Sequence, residues 1–398
     1  MVGHNFFFKS IAVLILLLML ISCRDKKAGE SRIVVIDSGK LPAQQKDLSE
    51  YLENIYVVPL ETTPNSLVGS LEVSDQDDSD FFYLSYENQT IYRFTASGKF
   101  LNSFCHLGKG PGEYAKVRNL HIVPGTQTLL VSDVRQSKML LYDYSGKFIR
   151  EFALPPSTAR FAVLNKNLIA LHVGKQTSLE PNDNIRNDLV FLDMQGHIVS
   201  RQLPFDKLLW YEFSNAFTRP DADGSYYYSK QFDFNIYKVR DTGQPEVFMR
   251  LDYGKSMARL DDLKGPSMED FLVLQKEGKR LSTDNVINTY RQFALINFTG
   301  RRLTLIVIDK KTKKQMLFGT DSLFSLGNYH GLPVSIPRDS YQDHFLFRME
   351  AIDLYQAIRL LSRDQLEKLK KRITGFDGIL NIKEEDNPVL VYFQFRDF

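Results

Sequence analysis

Apolar side chains recur at every second position along most of this chain, in short runs closed by glycine, serine, asparagine or aspartate. Such alternation predicts strands with one buried face. Two runs match closely: Ile91-Tyr-Arg-Phe-Thr-Ala-Ser-Gly-Lys-Phe-Leu101 and Met139-Leu-Leu-Tyr-Asp-Tyr-Ser-Gly-Lys-Phe-Ile149. Each reads as a strand, a tight turn and a returning strand. Looser copies are Leu189-Val-Phe-Leu-Asp-Met-Gln-Gly-His-Ile-Val199, Ile236-Tyr-Lys-Val-Arg-Asp-Thr-Gly-Gln and Leu305-Ile-Val-Ile-Asp-Lys-Lys-Thr-Lys, the last with Thr312 where the others carry glycine. Gly98, Gly146, Gly196 and Gly243 are 48, 50 and 47 positions apart. Six and four residues before each turn position stand Tyr92/Phe94, Leu140/Tyr142, Val190/Leu192, Tyr237/Val239 and Ile306/Ile308, all apolar. A unit of roughly fifty residues with about four short strands is a propeller blade rather than a solenoid coil. The predicted fold is all-β, a six-bladed β-propeller.

Six blades of ~48 residues need roughly 290 positions, fewer than residues 55–398 supply. The surplus falls where the period changes to that of a helix, giving short helical insertions in the late blades. Near 266–278 the pattern puts Met268, Phe271 and Leu272 on one side, with Gln275 at its margin. Near 350–373 it groups Ile352, Tyr355 and Ile358; Ser362-Arg-Asp-Gln365 then reads as a capping box opening a second helix with Leu366, Leu369 and Ile373 inside. Lys368, Lys370, Lys371 and Arg372 lie outside, interspersed with Asp364 and Glu367 as on a solvated face. The terminal run Asn387-Pro-Val-Leu-Val-Tyr-Phe-Gln-Phe395 can close the ring with Arg32-Ile-Val-Val-Ile36 or with Ile55-Tyr-Val-Val-Pro-Leu60; the second is the preferred partner.

Before the strands lies a different pattern. His4 and Lys9 precede an unbroken apolar run from Ile11 to Ile21. As a helix at ~1.5 Å per residue it reaches about half the span of a bilayer core, as an export signal does. Leu20-Ile-Ser-Cys23 follows and resembles the lipobox of bacterial lipoproteins. By that resemblance cleavage falls before Cys23, whose thiol carries a diacylglyceryl group, with acyl chains such as palmitate holding the protein on a membrane. Arg24 after the cysteine points to the outer membrane. The expected organisation is a signal peptide over 1–22, a lipidated N-terminus and linker over 23–54, and the propeller over 55–398.

Charge and cysteine content fit a folded body on such a tether. Fifty Lys and Arg against forty-eight Asp and Glu leave no broad attraction to nucleic acid. With Cys23 lipidated, Cys105 has no intramolecular disulfide partner.

The lipobox, Tyr56-Val-Val-Pro-Leu-Glu-Thr-Thr63, the Ser-Gly-Lys-Phe-Leu turn, Gly108-Lys-Gly-Pro-Gly-Glu-Tyr114 and the late Asn-Pro-Val-Leu strand occur in an order that resembles the six-bladed β-propeller lipoproteins related to NHL-repeat proteins. The resemblance covers most of the mature chain. It implies an extracytoplasmic propeller that binds or senses, and it transfers no catalytic residue.

Candidate chemistry is sparse. Gly108-Lys-Gly-Pro-Gly-Glu-Tyr114 lacks the ending of a phosphate loop, and Pro111 removes an amide; it reads as a blade crossing, with Glu113 and Tyr114 its available ligand contacts. His106, His121, His172, His197, His330 and His344 show no zinc-ligand spacing, though a pore could gather distant residues such as His121 and His172. Asp75-Gln-Asp-Asp-Ser-Asp80 lacks the glycine and glutamate of a helix-pair calcium loop and reads as a solvated hairpin turn. Trp210, Tyr211 and Tyr227 offer aromatic faces for a sugar or peptide, against a core role for alternating aromatics. No catalytic residue, metal ligand or cofactor is assigned. The leading expectation is a lipid-anchored binding or scaffold module for a peptide, glycan or envelope protein. A propeller hydrolase or lyase with a pore metal, and a subunit docking through its helices, are the alternatives.

Overall fold

A computed structural model of the chain describes residues 32–36, 47–69, 71–155, 158–173, 187–205, 216–265, 267–280, 285–299, 302–320 and 325–398. Cys23, Trp210 and Tyr211 lie outside the described residues.

The repeated turn shows how sequence sets the ring. In the second copy the Asp143 carboxylate accepts the Ser145 and Lys147 amides at 2.9 Å each, and Gly146 turns the chain with φ +90°. A side chain at Gly146 would also meet the Phe104 ring of the preceding blade at 2.4 Å. The glycine therefore serves both the left-handed turn and the approach of one blade to the last. In the fifth copy the turn is one residue longer: the Lys313 amide bonds to the Asp309 carbonyl, and Lys313, not Thr312, takes the left-handed position at φ +64°.

Among the described residues six blade sheets follow in chain order, with a separate hairpin of Ser325–Tyr329 and Leu332–Ser335. Blade 1 is Leu71–Gln76, Asp80–Ser85, Ile91–Thr95 and Phe100–Phe104; blade 2 is Val117–Ile122, Thr128–Asp133, Lys138–Asp143 and Phe148–Ala153. Blade 3 is Thr158–Asn165, Leu168–Val173, Asn187–Asp193 and Ile198–Pro204. Blade 4 has Tyr226–Tyr228, Asn235–Val239 and Pro245–Asp252, with 216–218 bonded inside Tyr226–Tyr228 and Arg32–Val35 added in parallel outside. Blade 5 is Asn285–Asn288, Gln292–Thr299, Arg302–Asp309 and Gln315–Thr320. Blade 6 joins Asp339–Tyr341, His344–Met349, the C-terminal Val389–Phe395 and the N-terminal Leu52–Pro59, with Ile373–Thr374 parallel at its edge. The six-bladed propeller is thus closed by antiparallel pairing of the two ends of the chain, Val57 opposite Val391. Ile55–Leu60 is the closing segment as expected, whereas the alternative around Ile33 pairs with blade 4 instead, Ile33 opposite Arg250.

Each pair of neighbouring blades encloses its own apolar core. Phe82, Leu120 and Tyr142 fill the first interface, Leu130, Val163 and Leu192 the second, and Phe191, Tyr226 and Val239 the third. Phe293 and Leu295 fill the fourth, Leu305 and Phe393 the fifth, and Tyr83 and Leu390 the sixth.

The helices are α1 (Met268–Lys276), α2 (Ala351–Leu360) and α3 (Arg363–Arg372). In α1 Phe271 and Leu274 are buried while Leu272 is 45% exposed, so the apolar face is rotated from the expected one. In α2 Tyr355 and Ile358 pack on the core as expected, together with buried Ala351 and Leu354, and of the expected three only Ile352 faces solvent. The α3 capping box is formed: Ser362 Oγ accepts the Gln365 amide at 3.3 Å and Gln365 Oε1 the Ser362 amide at 2.9 Å.

Alternation of strand direction gives the ring two unlike faces. First-to-second and third-to-fourth strand turns are short and share a plain face. The crossings between blades and the second-to-third connections share the other, and the three helices among the described residues stand there. This is the elaborated face.

Candidate functional site

The innermost strands send polar side chains into the central channel, where one arginine dominates. Arg219 leaves the inner stretch of blade 4 and crosses the channel. Its Nε donates to Asp339 Oδ1 of blade 6 at 2.7 Å, and its Nη1 donates to Asp75 Oδ1 of blade 1. Asp75 Oδ2 accepts the Ile122 amide at 2.8 Å and stands 3.4 Å from His121 Nδ1, both in blade 2. Asn288 of blade 5 donates to the Arg219 carbonyl at 3.2 Å, and Arg160 of blade 3 donates to Asn119 of blade 2 at 3.0 Å. Every blade therefore contributes to polar contacts around the channel. Burial pushes the Asp75 carboxyl up, but Arg219 first, then His121 and the Ile122 amide, more than reverse it and hold it below its ordinary range. Burial likewise opposes the Arg219 charge, and Asp339 and Asp75 outweigh that, raising its value. The stretch expected as a solvated turn, 75–80, is solvated only at its middle. Asp80 is buried, with Arg93 Nε donating to it at 2.6 Å.

At the plain-face mouth the carboxylates are already engaged. Asp77 accepts the Ser79 and Asp80 amides and the Tyr144 hydroxyl, the last at 2.7 Å. Asp78 accepts from Gln342 at 3.0 Å and from Tyr341, and Asp343 pairs with Arg291. Asp221 accepts the Tyr227 hydroxyl at 2.7 Å and faces the Lys310 ammonium at 3.1 Å. Burial drives the Lys310 amine down to about 8, against the pull of Asp221. Among the described residues no group of three or more His, Cys, Asp or Glu is placed to hold a metal ion.

The residues singled out in the sequence lie apart. Glu113 accepts the Gly110 amide of its own loop at 2.9 Å, and Tyr114 is fully buried, its hydroxyl donating to the Gln89 carbonyl at 2.8 Å. The crossing loop itself is tied to blade 2: the Gly112 amide donates to Glu151 at 3.0 Å and Gln136 donates to the Gly108 carbonyl at 2.9 Å. Tyr227 is buried between blades 4 and 5, its ring centroid 4.7 Å from that of Phe293. His172 is buried within blade 3, its Nδ1 2.8 Å from the Tyr228 hydroxyl, while His121 faces the channel.

What the spacing did not reveal is a cleft of about 690 Å³ on the elaborated face, between blade 4 and the crossing that carries α1. Its apolar wall comes from Phe232, Phe234, Met257 and Leu260. Phe232 holds φ +57°, unusual for a bulky residue, and its ring lies 5.9 Å from that of Phe271 on α1. Strain at a site wall marks positions that packing over-determines. The rim carries Arg250, Lys255, Arg259 and Lys279 against Asp233 and Asp262. Both acids are occupied: Asp233 accepts the Asn235 amide at 2.9 Å and the Tyr237 hydroxyl, and Asp262 accepts the Arg259 amide at 2.7 Å. Among the described residues none of the four cations is within salt-bridge distance of a carboxylate. At the plain-face mouth the named carboxylates are thus bonded within the protein, Asp343 and Asp221 to cations, whereas the cleft's cations reach no carboxylate among the described residues.

Comparison with known proteins agrees with the architecture. The profile of a family described as a domain of unknown function, DUF4934, matches residues 33–394. A protein of Bacteroides fragilis NCTC 9343, described as exported, superposes with a TM-score of 0.69 at 16% identity, covering 92% of this chain and 100% of its own. A member of the DUF4221 family from Bacteroides vulgatus superposes with a TM-score of 0.50 at 10% identity, covering 87% and 99%. No curated protein matches the chain.

Proposed function

This chain belongs to the DUF4934 family, and from that premise we propose that it is a lipid-anchored binding module of a bacterial cell envelope, allied to the six-bladed propeller lipoproteins. The observation that carries the binding reading is the contrast between a channel crossed by Arg219 and an open, strained, charge-unbalanced cleft on the elaborated face. A rigid ring that displays one irregular face is suited to holding a ligand there. The anchor rests on Leu20-Ile-Ser-Cys23 behind its eleven-residue apolar run, and the exported description of the Bacteroides fragilis structure is compatible with it. Arg32–Val35 lies along the outside of blade 4, so a tether of residues 24–31 at ~3.3 Å each would keep the propeller within roughly 30 Å of the lipid.

The hydrolase reading draws less support, because Asp75 and Asp339, the channel carboxylates, are already held by Arg219. Metabolic labelling with tritiated palmitate tests the anchor: the full chain takes up label, and Cys23→Ala abolishes it. Thermal-shift screening of residues 24–398 against peptides, glycans and amphiphiles tests the binding role. Stabilisation by an unaltered compound supports it; conversion of that compound to product overturns it in favour of an enzyme.

A further inference from the structure

We propose that the blade 4 cleft takes an amphiphilic organic anion, an acidic headgroup joined to an apolar body. The inference rests on the binding reading above and names the chemistry of its ligand. Two features of the cleft act together. One wall is apolar, formed by Phe232 and Leu260, which also pack on the small core beneath α1. At the rim Arg250, Lys255 and Arg259 are exposed and, among the described residues, reach no carboxylate, while Lys279 donates to the Lys255 carbonyl at 3.0 Å. The lining carries four cations against Asp233 and Asp262, and both carboxylates accept from their own neighbours rather than from the rim cations. Like charges gathered on one rim repel, and an anion relieves that repulsion while its apolar portion covers the wall. A volume of about 690 Å³ is within the range of sites for small organic ligands.

The channel offers no such opening. Arg219, which crosses it, is paired with both Asp75 and Asp339. The acidic residues of the opposite mouth are likewise bonded inside the protein. Among the described residues, cations without a carboxylate partner stand beside an apolar wall at the cleft.

The test uses purified residues 24–398 and 8-anilinonaphthalene-1-sulfonate, with Nile red as a neutral probe. Sulfonate fluorescence should rise on binding and be displaced by dodecanoate but not by dodecanol at equal concentration. Arg250→Glu/Lys255→Glu should weaken sulfonate binding by roughly tenfold or more and leave Nile red unchanged. Lys99→Glu/Lys147→Glu, the same charge change on exposed plain-face turns, should leave both unchanged. Vesicles of phosphatidylcholine and phosphatidylglycerol in equal parts separate the sources of the anion. Competition by these vesicles assigns a lipid headgroup, and competition by free dodecanoate alone assigns a soluble amphiphile. If Arg250→Glu/Lys255→Glu binds sulfonate normally while Phe232→Gly abolishes both probes, the cleft is an apolar site. The anion inference is then overturned and the binding module stands. If neither probe binds to protein with native circular dichroism, the anion inference and the cleft as binding site both fall.

Discussion

Replacing Arg219 by methionine tests whether the channel is closed by charge rather than by packing. Methionine keeps an unbranched side chain of similar reach and removes only the guanidinium. Asp75, with 11% of its side chain exposed, and Asp339, with 25%, are left facing one another without their shared cation. Removing one partner of a buried ion pair costs about 3–5 kcal/mol. The Ile122 amide at 2.8 Å still satisfies part of Asp75, which favours the lower figure. With an unfolding entropy near 2.1 cal/mol/K per residue, a body of roughly 350 residues loses about 4 °C in Tm for 3 kcal/mol. The pH dependence gives a sharper signature. In the native chain the folded Asp75 value is lowered, so its contribution is complete above the unfolded value near 4 and is lost as pH falls through the folded one. Without Arg219 burial is the largest remaining influence, and a raised folded value reverses the sign: stability is retained below the unfolded value and lost as pH rises. The Tm deficit of Arg219→Met, measured by scanning calorimetry, should therefore be larger at pH 7 than near pH 4.5. Arg219→Met/Asp75→Asn/Asp339→Asn should recover most of it. A deficit of the same size at both pH values, or none at pH 7, would refute the electrostatic account of the closed channel.

Other consequences can be checked on the same material. Gly146→Ala combines φ +90° with a 2.4 Å approach to Phe104 and should cost about 3 kcal/mol in urea unfolding, while Gly125→Ala, at φ +72° in open space, should cost about 1 kcal/mol. Asn387 ties the two ends of the chain, donating to the Glu61 and Ser66 carbonyls at 2.8 and 2.7 Å and accepting the Val68 amide at 3.0 Å. Asn387→Leu leaves these groups unpaired and should cost about 3 kcal/mol or more, with early hydrogen exchange in Leu52–Pro59. The folded Lys310 amine, lowered to about 8 from 10.5, favours the neutral form, so its contribution is complete above the unfolded value and is lost as pH falls through the folded one. The native chain should gain on Lys310→Met by roughly 2.5 kcal/mol from pH 7 to pH 10 in urea unfolding, and equal curves would contradict it.

The blades were legible because their information is local. Asp143 and Gly146 act within one turn, so the spacing of Gly98, Gly146, Gly196 and Gly243 carries the repeat directly. Ring closure through Leu52–Pro59 could also be read, because a terminal strand needs an opposite end to pair with. Helix rotation was less secure: with three or four apolar residues per short helix, Leu272 and Leu274 satisfy the period almost equally, and only packing on Phe232 and Leu260 selects Leu274. The channel and cleft were not legible for a different reason. Arg219, Asp75 and Asp339 are more than a hundred residues apart, and Arg250, Lys255 and Arg259 look in sequence like any solvated charges. Whether a charge is paired is a property of the fold. The one local signal was Arg219-Pro220, a cation held in extended backbone at the start of a repeat.

Hydrogen exchange of residues 24–398 with and without saturating dodecanoate tests most directly where this propeller binds. The account predicts slowed exchange in 229–235 and 250–262, around Phe232 and Arg250, with the inner strands Leu71–Gln76, Val117–Ile122 and Asp339–Tyr341 unchanged. Protection centred on those inner strands instead would place the ligand in the channel and contradict it.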